Sequence, residues 1–228
     1  MAADIVTYFS EPRIGTYLAR CKGDETRALT LYRANAHISG TAHTAVHYCE
    51  VILRNALDRE LRSWNRAVHR TPEWARDPAP LLASVLPPDR LRAARDHAAR
   101  GVRGRRPVNH DDIVAQFTFG VWRNLLPSQR HRWKEALWDE ALQHAFTNRQ
   151  GVRVDQIARS VSIVCDFRNR IAHHEPVFGL DLRGKRRAMR DVINSVHPTA
   201  RRWFVEHEPL SAALDAFYAE WPEFARTN

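Results

Sequence analysis

Val154-Asp155-Gln156-Ile157-Ala158-Arg159-Ser160-Val161-Ser162-Ile163-Val164-Cys165-Asp166-Phe167-Arg168-Asn169-Arg170-Ile171-Ala172-His173-His174 is the stretch from which the fold of this chain is read. Val154, Ile157, Val161, Val164, Arg168 and Ile171 follow one another by three and four residues in alternation. That stagger lines side chains along one face of an α-helix. It predicts a helix over 152–174 with an inward seam, closed by Pro176, which disfavours helical backbone in the residue before it. One member of the seam is out of place. Arg168 stands where Leu or Ile is expected, and a buried or half-buried guanidinium is costly unless it is paired or faces a polar cleft.

The rest of the chain repeats the helical period. Residues 37–65 carry Ile38, Ala42, Ala45, Cys49, Ile52 and Ala56, with Val46, Leu53 and Leu57 widening the stripe, and Ser39 or Thr41 is available to cap the start. Glu50 and Arg54 form an i,i+4 pair at its edge. Residues 4–33 read as two short helices broken near Pro12 and Gly23. Residues 71–89 hold five prolines and form a connector with a short helical interruption around Leu81-Leu82-Ala83. The run from Arg90 to Arg106 reads as an exposed basic helix ending in a basic loop. Asn109 or Asp111 caps a helix through Ile113, Phe117, Val121, Trp122 and Leu125, and Pro127 stops it. Further helices are expected through Trp133–Ala145, over 184–196 and over 198–220. No alternating strand pattern or internal repeat is present. The expectation is an all-α chain forming one domain over 1–228.

Composition narrows the class. The chain has 228 residues, 44% hydrophobic and 27% charged, which suits a globular protein. No apolar run approaches the roughly 20 residues of a membrane span. Met1-Ala2-Ala3-Asp4-Ile5-Val6-Thr7 has no basic segment followed by an apolar one, so a cytoplasmic protein is expected. Cys21, Cys49 and Cys165 are odd in number and far apart, which argues against a disulfide framework or a zinc ribbon and for small buried hydrophobes. His43 and His47 stand i,i+4, but with no third ligand in view they read as a solvated or packed pair. No metal and no cofactor are expected. The net charge of +9 and a pI near 10.2 point to a polyanionic partner, and nearly all of the positive charge is arginine. Arg103, Arg105 and Arg106 in one run, and Arg183, Lys185, Arg186 and Arg187 in another, are candidate contacts to an RNA backbone.

Arg168 has two readings: tied to a carboxylate such as Glu50, or aimed at a phosphate, whose oxygens its planar fork of donors fits in pairs. His173 and His174 are the natural acid or base near pH 7. They lie five and six residues beyond Arg168, about 140° and 240° around an ideal helix. They therefore belong at the helix end, or else the site is completed by a second chain. A base, an acid and a cation suffice for attack of a ribose 2′-hydroxyl on its neighbouring phosphate, without a metal. A cationic helix C-terminus is the plain structural alternative.

Cys165-Asp166-Phe167-Arg168-Asn169-Arg170-Ile171-Ala172-His173-His174-Glu175 resembles the Arg-Asn-x-x-Ala-His-His segment of the abortive-infection (Abi-like) proteins of the HEPN superfamily. Leu31-Tyr32-Arg33-Ala34-Asn35, Glu50-Val51-Ile52-Leu53-Arg54-Asn55-Ala56-Leu57 and Phe117-Thr118-Phe119-Gly120-Val121-Trp122-Arg123-Asn124-Leu125 resemble other segments of that family, in its order, over about residues 31–180. The resemblance implies a HEPN-like helical bundle with additional terminal helices, the Arg-x4–6-His motif lying on an inner helix. It implies RNA cleavage without metal, leaving a cyclic phosphate, by a homodimer of toxin or antiviral-defence type with an RNA or protein antitoxin as a further partner. Arg168 then corresponds to the motif arginine, His173 to the motif histidine with His174 as second candidate, and Asn169 to the polar residue that follows the arginine. Glu50 and Arg54 take supporting places. Glu175-Pro176-Val177-Phe178 departs from the commonest form of the motif. A non-catalytic HEPN protein that holds a structured RNA is the alternative expectation.

Overall fold

The computed structural model describes residues 5–127, 131–149 and 151–225; Met1 to Asp4, the start of the N-terminal segment read above, lie outside it. Among the described residues the chain is all-α, with eleven α-helices and no strand. They are α1 (Glu11–Arg20), α2 (Glu25–His69), α3 (Pro80–Val85), α4 (Pro88–Val102), α5 (His110–Val114), α6 (Phe119–Leu125), α7 (Arg132–Glu140), α8 (Val154–Ala172), α9 (Leu182–Val196), α10 (Pro198–His207) and α11 (Leu210–Glu220). No described helix is long and apolar enough to cross a membrane.

The helices fall into two compact units. The first comprises residues 1–47, 166–187 and 207–228, and the second residues 48–165 and 188–206.

The first unit is built on an aromatic core. Phe178 lies 5.2 Å from Tyr17 and 5.1 Å from Phe224, and Phe224 stacks on Phe217 at 5.8 Å. Arg20 covers Phe224 at 4.7 Å and Arg27 covers Trp221 at 5.0 Å, each placing a cation on a ring face. The break between α10 and α11 falls at Glu208-Pro209, within the stretch expected as one helix over 198–220. The buried Glu208 carboxylate accepts from the N–H of Leu210 at 2.7 Å and of Ser211 at 3.2 Å, so it satisfies donors that a helix start leaves without partners.

The second unit centres on Trp74, which is fully buried and stacks on Phe117 at 5.6 Å with Trp122 edge-on at 6.0 Å. Asn65 orders the proline-rich connector. Its amide donates to the carbonyls of Thr71 (2.8 Å) and Asp77 (3.1 Å), and its oxygen accepts from the N–H of Ala79 (2.8 Å). The short helix expected around Leu81 is α3. Asn109 is the cap of α5, in a reciprocal box with Asp112.

Other boundaries also differ from the sequence reading. The two helices expected before and after residue 37 are one helix of 45 residues, α2. Thr41 does not cap it: its hydroxyl turns back to the carbonyl of Ile38 at 3.0 Å, inside the helix. Nothing between Glu25 and Ile38 interrupts the backbone ladder, and Gly40 alone does not. The helix expected through Ile113–Leu125 is two, α5 and α6. Extended backbone at Thr118 separates them and lets Phe117 lie on Trp74.

Candidate functional site at the end of α8

The first unit holds the end of α8, and its termination has a definite geometry. His173 N–H still reaches the carbonyl of Asn169 at 2.9 Å. His174 then takes a left-handed conformation, φ +55°, and its N–H bonds the carbonyl of Ile171 at 2.9 Å. Glu175 N–H bonds that of Arg170 at 3.0 Å. These two bonds close a Schellman turn, with His174 in the place usually taken by glycine. The histidines therefore sit where the helix ends.

The chain beyond is pinned group by group. The Arg170 side chain donates from Nε to the Pro176 carbonyl at 2.9 Å and pairs with Glu175 at 3.5 Å. Arg13 donates to the carbonyl of His174. Asn35, buried on α2, accepts from the N–H of Val177 at 2.8 Å and of Phe178 at 3.1 Å, and Phe178 enters the aromatic core. The sequence alone assigns Asn35 no role. Its signal was an amide at a position where a helix interior is otherwise apolar.

Arg168 is half-buried and, among the described residues of its unit, makes no hydrogen bond or ion pair. Its neighbours on the seam, Val164 and Ile171, are buried. His173, His174 and Asn169 are exposed. His173 lines a cavity of about 280 Å³ with Asn169, Arg170, Glu175 and Lys185. His174 lines a second cavity, of about 420 Å³, with Tyr32, Ser39 and His43. Neither cavity takes in Arg168. Glu50 and Arg54 belong to the second unit, where Arg54 donates to the side chain of Asn55 at 3.2 Å.

The basic candidates differ in how committed they are. Arg186 donates to the buried Glu208 at 2.7 Å. Arg183 pairs with Asp215 at 3.1 Å and lies over the Tyr218 ring at 5.2 Å. Lys185 borders the cavity of His173, and Arg187 is exposed. In the second unit Arg106 grips Asp112 with two bonds, at 2.5 and 2.6 Å. Those bonds, with the Asn109 N–H, hold the Asp112 carboxyl down to about 2. Arg103 closes α4 in a left-handed conformation, and Arg105 stands exposed beside it.

Sequence reading missed one polar centre altogether, in the second unit. Asp58 on α2 accepts from Trp74 at 2.8 Å and from Arg62 at 2.8 Å, and its Oδ1 lies 3.0 Å from Nε2 of the buried His110. Burial alone would raise the Asp58 carboxyl, but the bonds from His110, Trp74 and Arg62 outweigh it and hold the group below its ordinary value. The three cysteines are buried. Burial pushes the Cys49 thiol far up, which makes it inert. Among the described residues no group of three or more His, Cys, Asp or Glu converges to hold a metal ion.

Comparison of the chain with protein-family models, with curated proteins and with solved structures returns no match.

Proposed function

We propose that this protein is a metal-independent endoribonuclease of the abortive-infection type within the HEPN superfamily, acting as a homodimer. The observation that carries the reading is the pairing of an uncommitted, half-buried Arg168 on the inward seam with an exposed His173 at the cap of the same helix. The resemblance of the Arg-Asn-x-x-Ala-His-His segment supplies the reaction class.

In this reading His173 takes the proton from a ribose 2′-hydroxyl. The 2′-oxygen forms a bond to the adjacent phosphorus, and the bond to the 5′-oxygen of the next nucleotide breaks. That oxygen leaves with a proton from a second imidazole, His174 or the His173 of a second copy. Arg168 donates two hydrogen bonds to the phosphoryl oxygens as charge builds on them. Asn169, beside His173 in the same cavity, orients the motif. The cavities that His173 and His174 line both leave out Arg168, and in this reading a second copy supplies the missing partner to each. Lys185 and Arg187 would meet the phosphates that flank the cut, whereas Arg106 and Arg186 serve their carboxylates.

The products test the reading. Cleaved RNA is expected to carry 2′,3′-cyclic phosphate and 5′-hydroxyl ends by mass spectrometry. Ends with 3′-hydroxyl and 5′-phosphate would contradict it. RNA bound tightly and left intact, with binding that survives His173→Ala, would favour a non-catalytic RNA-binding protein.

A further inference from the structure

The cavity of about 420 Å³ beside His174, within the first unit, has the size of a small-molecule site, for which roughly 300–1,000 Å³ is usual. One wall is a stripe of α2. Tyr32, Ala36, Ser39 and His43 step by four, three and four residues, so they share a helix face. Tyr32 lies 4.7 Å from Phe9 and 5.1 Å from Tyr17, which gives the cavity an aromatic end. Burial raises the Tyr17 phenol to about 12, so it stays neutral. Ile171 and Ala172 of α8 add an apolar surface, and His174 borders it.

Two features set this cavity apart from a packing defect. The first is its idle polar groups. Thr30 and Thr44, elsewhere on α2, turn their hydroxyls onto the carbonyl one turn back, at 3.0 and 3.3 Å. Ser39 and His43 make no hydrogen bond among the described residues of their unit. The second is Gly40, a glycine in the middle of a long helix, where alanine would hold the helix better. A Cβ at Gly40 would meet no atom within 4 Å. Close packing does not require the glycine, and the space beside it is open.

Tyr32, half-buried, offers the ring against which a flat ligand can lie, with the buried Tyr17 behind it. The ligand's edge can be met by a hydroxyl that both donates and accepts, and by imidazoles that do one at each nitrogen. Those are the contacts by which proteins hold a splayed base of single-stranded RNA. We infer that this cavity holds one unstacked nucleobase next to the turn that carries His173 and His174, and so selects where the strand is cut. The inference rests on the RNA reading above.

The test is binding of AMP, GMP, CMP and UMP to the full chain by saturation-transfer NMR and calorimetry, alongside RNA cleavage. Wild type is expected to bind at least one of the four. Gly40→Ala keeps that binding. Gly40→Leu, whose side chain enters the cavity, weakens it at least tenfold and raises KM for RNA by a similar factor. Both variants should melt no lower than wild type, since both residues are better helix formers, and this separates lost binding from lost folding. His43→Ala, at an exposed position, weakens nucleotide binding severalfold. No binding of any of the four by wild type, or equal binding by Gly40→Leu, would overturn the inference. Cleavage by wild type in that case would leave the nuclease reading standing. That reading falls on its own result, when wild type leaves RNA uncut.

Discussion

The side-chain oxygen of Asn35 accepts the backbone N–H of Val177 at 2.8 Å, which ties the third turn of the long helix α2 to the chain just beyond the His-His turn. The same oxygen takes Phe178 N–H at 3.1 Å. Both amides are buried, so removing the acceptor leaves two donors with no water to turn to. Each such donor costs about 1–3 kcal/mol. Asn35→Ala should therefore lower stability by about 2–6 kcal/mol. It should also speed hydrogen exchange at Val177 and Phe178 by at least tenfold. Unchanged exchange at those two amides would show that the turn is held by Phe178 packing alone.

His174 stands left-handed at φ +55°, where the side chain of an L-residue crowds its own backbone. Glycine there relieves the strain but loses more entropy on folding. The balance favours His174→Gly by roughly 0.5–1 kcal/mol, or a rise of about 1–4 °C in Tm for a chain of this size. Thermal melts of the two proteins decide it. A lower Tm in the glycine variant would mean that the imidazole itself makes a contact worth more than the strain.

Asp58 gives the pH dependence. Its carboxyl is held below its unfolded value by His110, Trp74 and Arg62. A depressed carboxyl adds stability that is present above the unfolded value, near 4, and is lost as pH falls through the folded one. Asp112, held to about 2, works in the same direction from the surface. Tm should thus fall steeply below about pH 4. Asp58→Asn should flatten that slope and cost about 2–3 kcal/mol at pH 7, because buried donors lose their charged acceptor. An unaltered acid slope in Asp58→Asn would move the dependence to other carboxylates.

These polar anchors also mark how far the sequence could be read. The seam of α8 and its stop before Pro176 follow from local rules, and so does the oddity of Arg168 within it. The length of α2 was misjudged because Ser39 and Thr41 are cap-forming residues by type, yet Thr41 satisfies its hydroxyl inside the helix. The split between α5 and α6 turns on Phe117 stacking against Trp74, a contact that no local pattern records. Asn35 and Val177 are 142 residues apart, and Asp58 and His110 are 52 apart. Pairings of single polar residues over such separations leave no periodic trace. The histidines were assigned to the helix end from angular spacing, and the Schellman turn is the form that end takes.

The most direct test is cleavage of total tRNA and of a mixed RNA pool in excess EDTA by wild type, Arg168→Ala and His173→Ala, each purified free of contaminating nuclease. Cutting by wild type, with a loss of at least a hundredfold in each variant and melting curves unchanged within a few degrees, is the predicted result, in line with the usual ~10²–10⁴-fold worth of a general acid or base. Equal cutting by all three proteins, or intact RNA with all three, would contradict the assignment of Arg168 and His173 as the residues that cleave RNA.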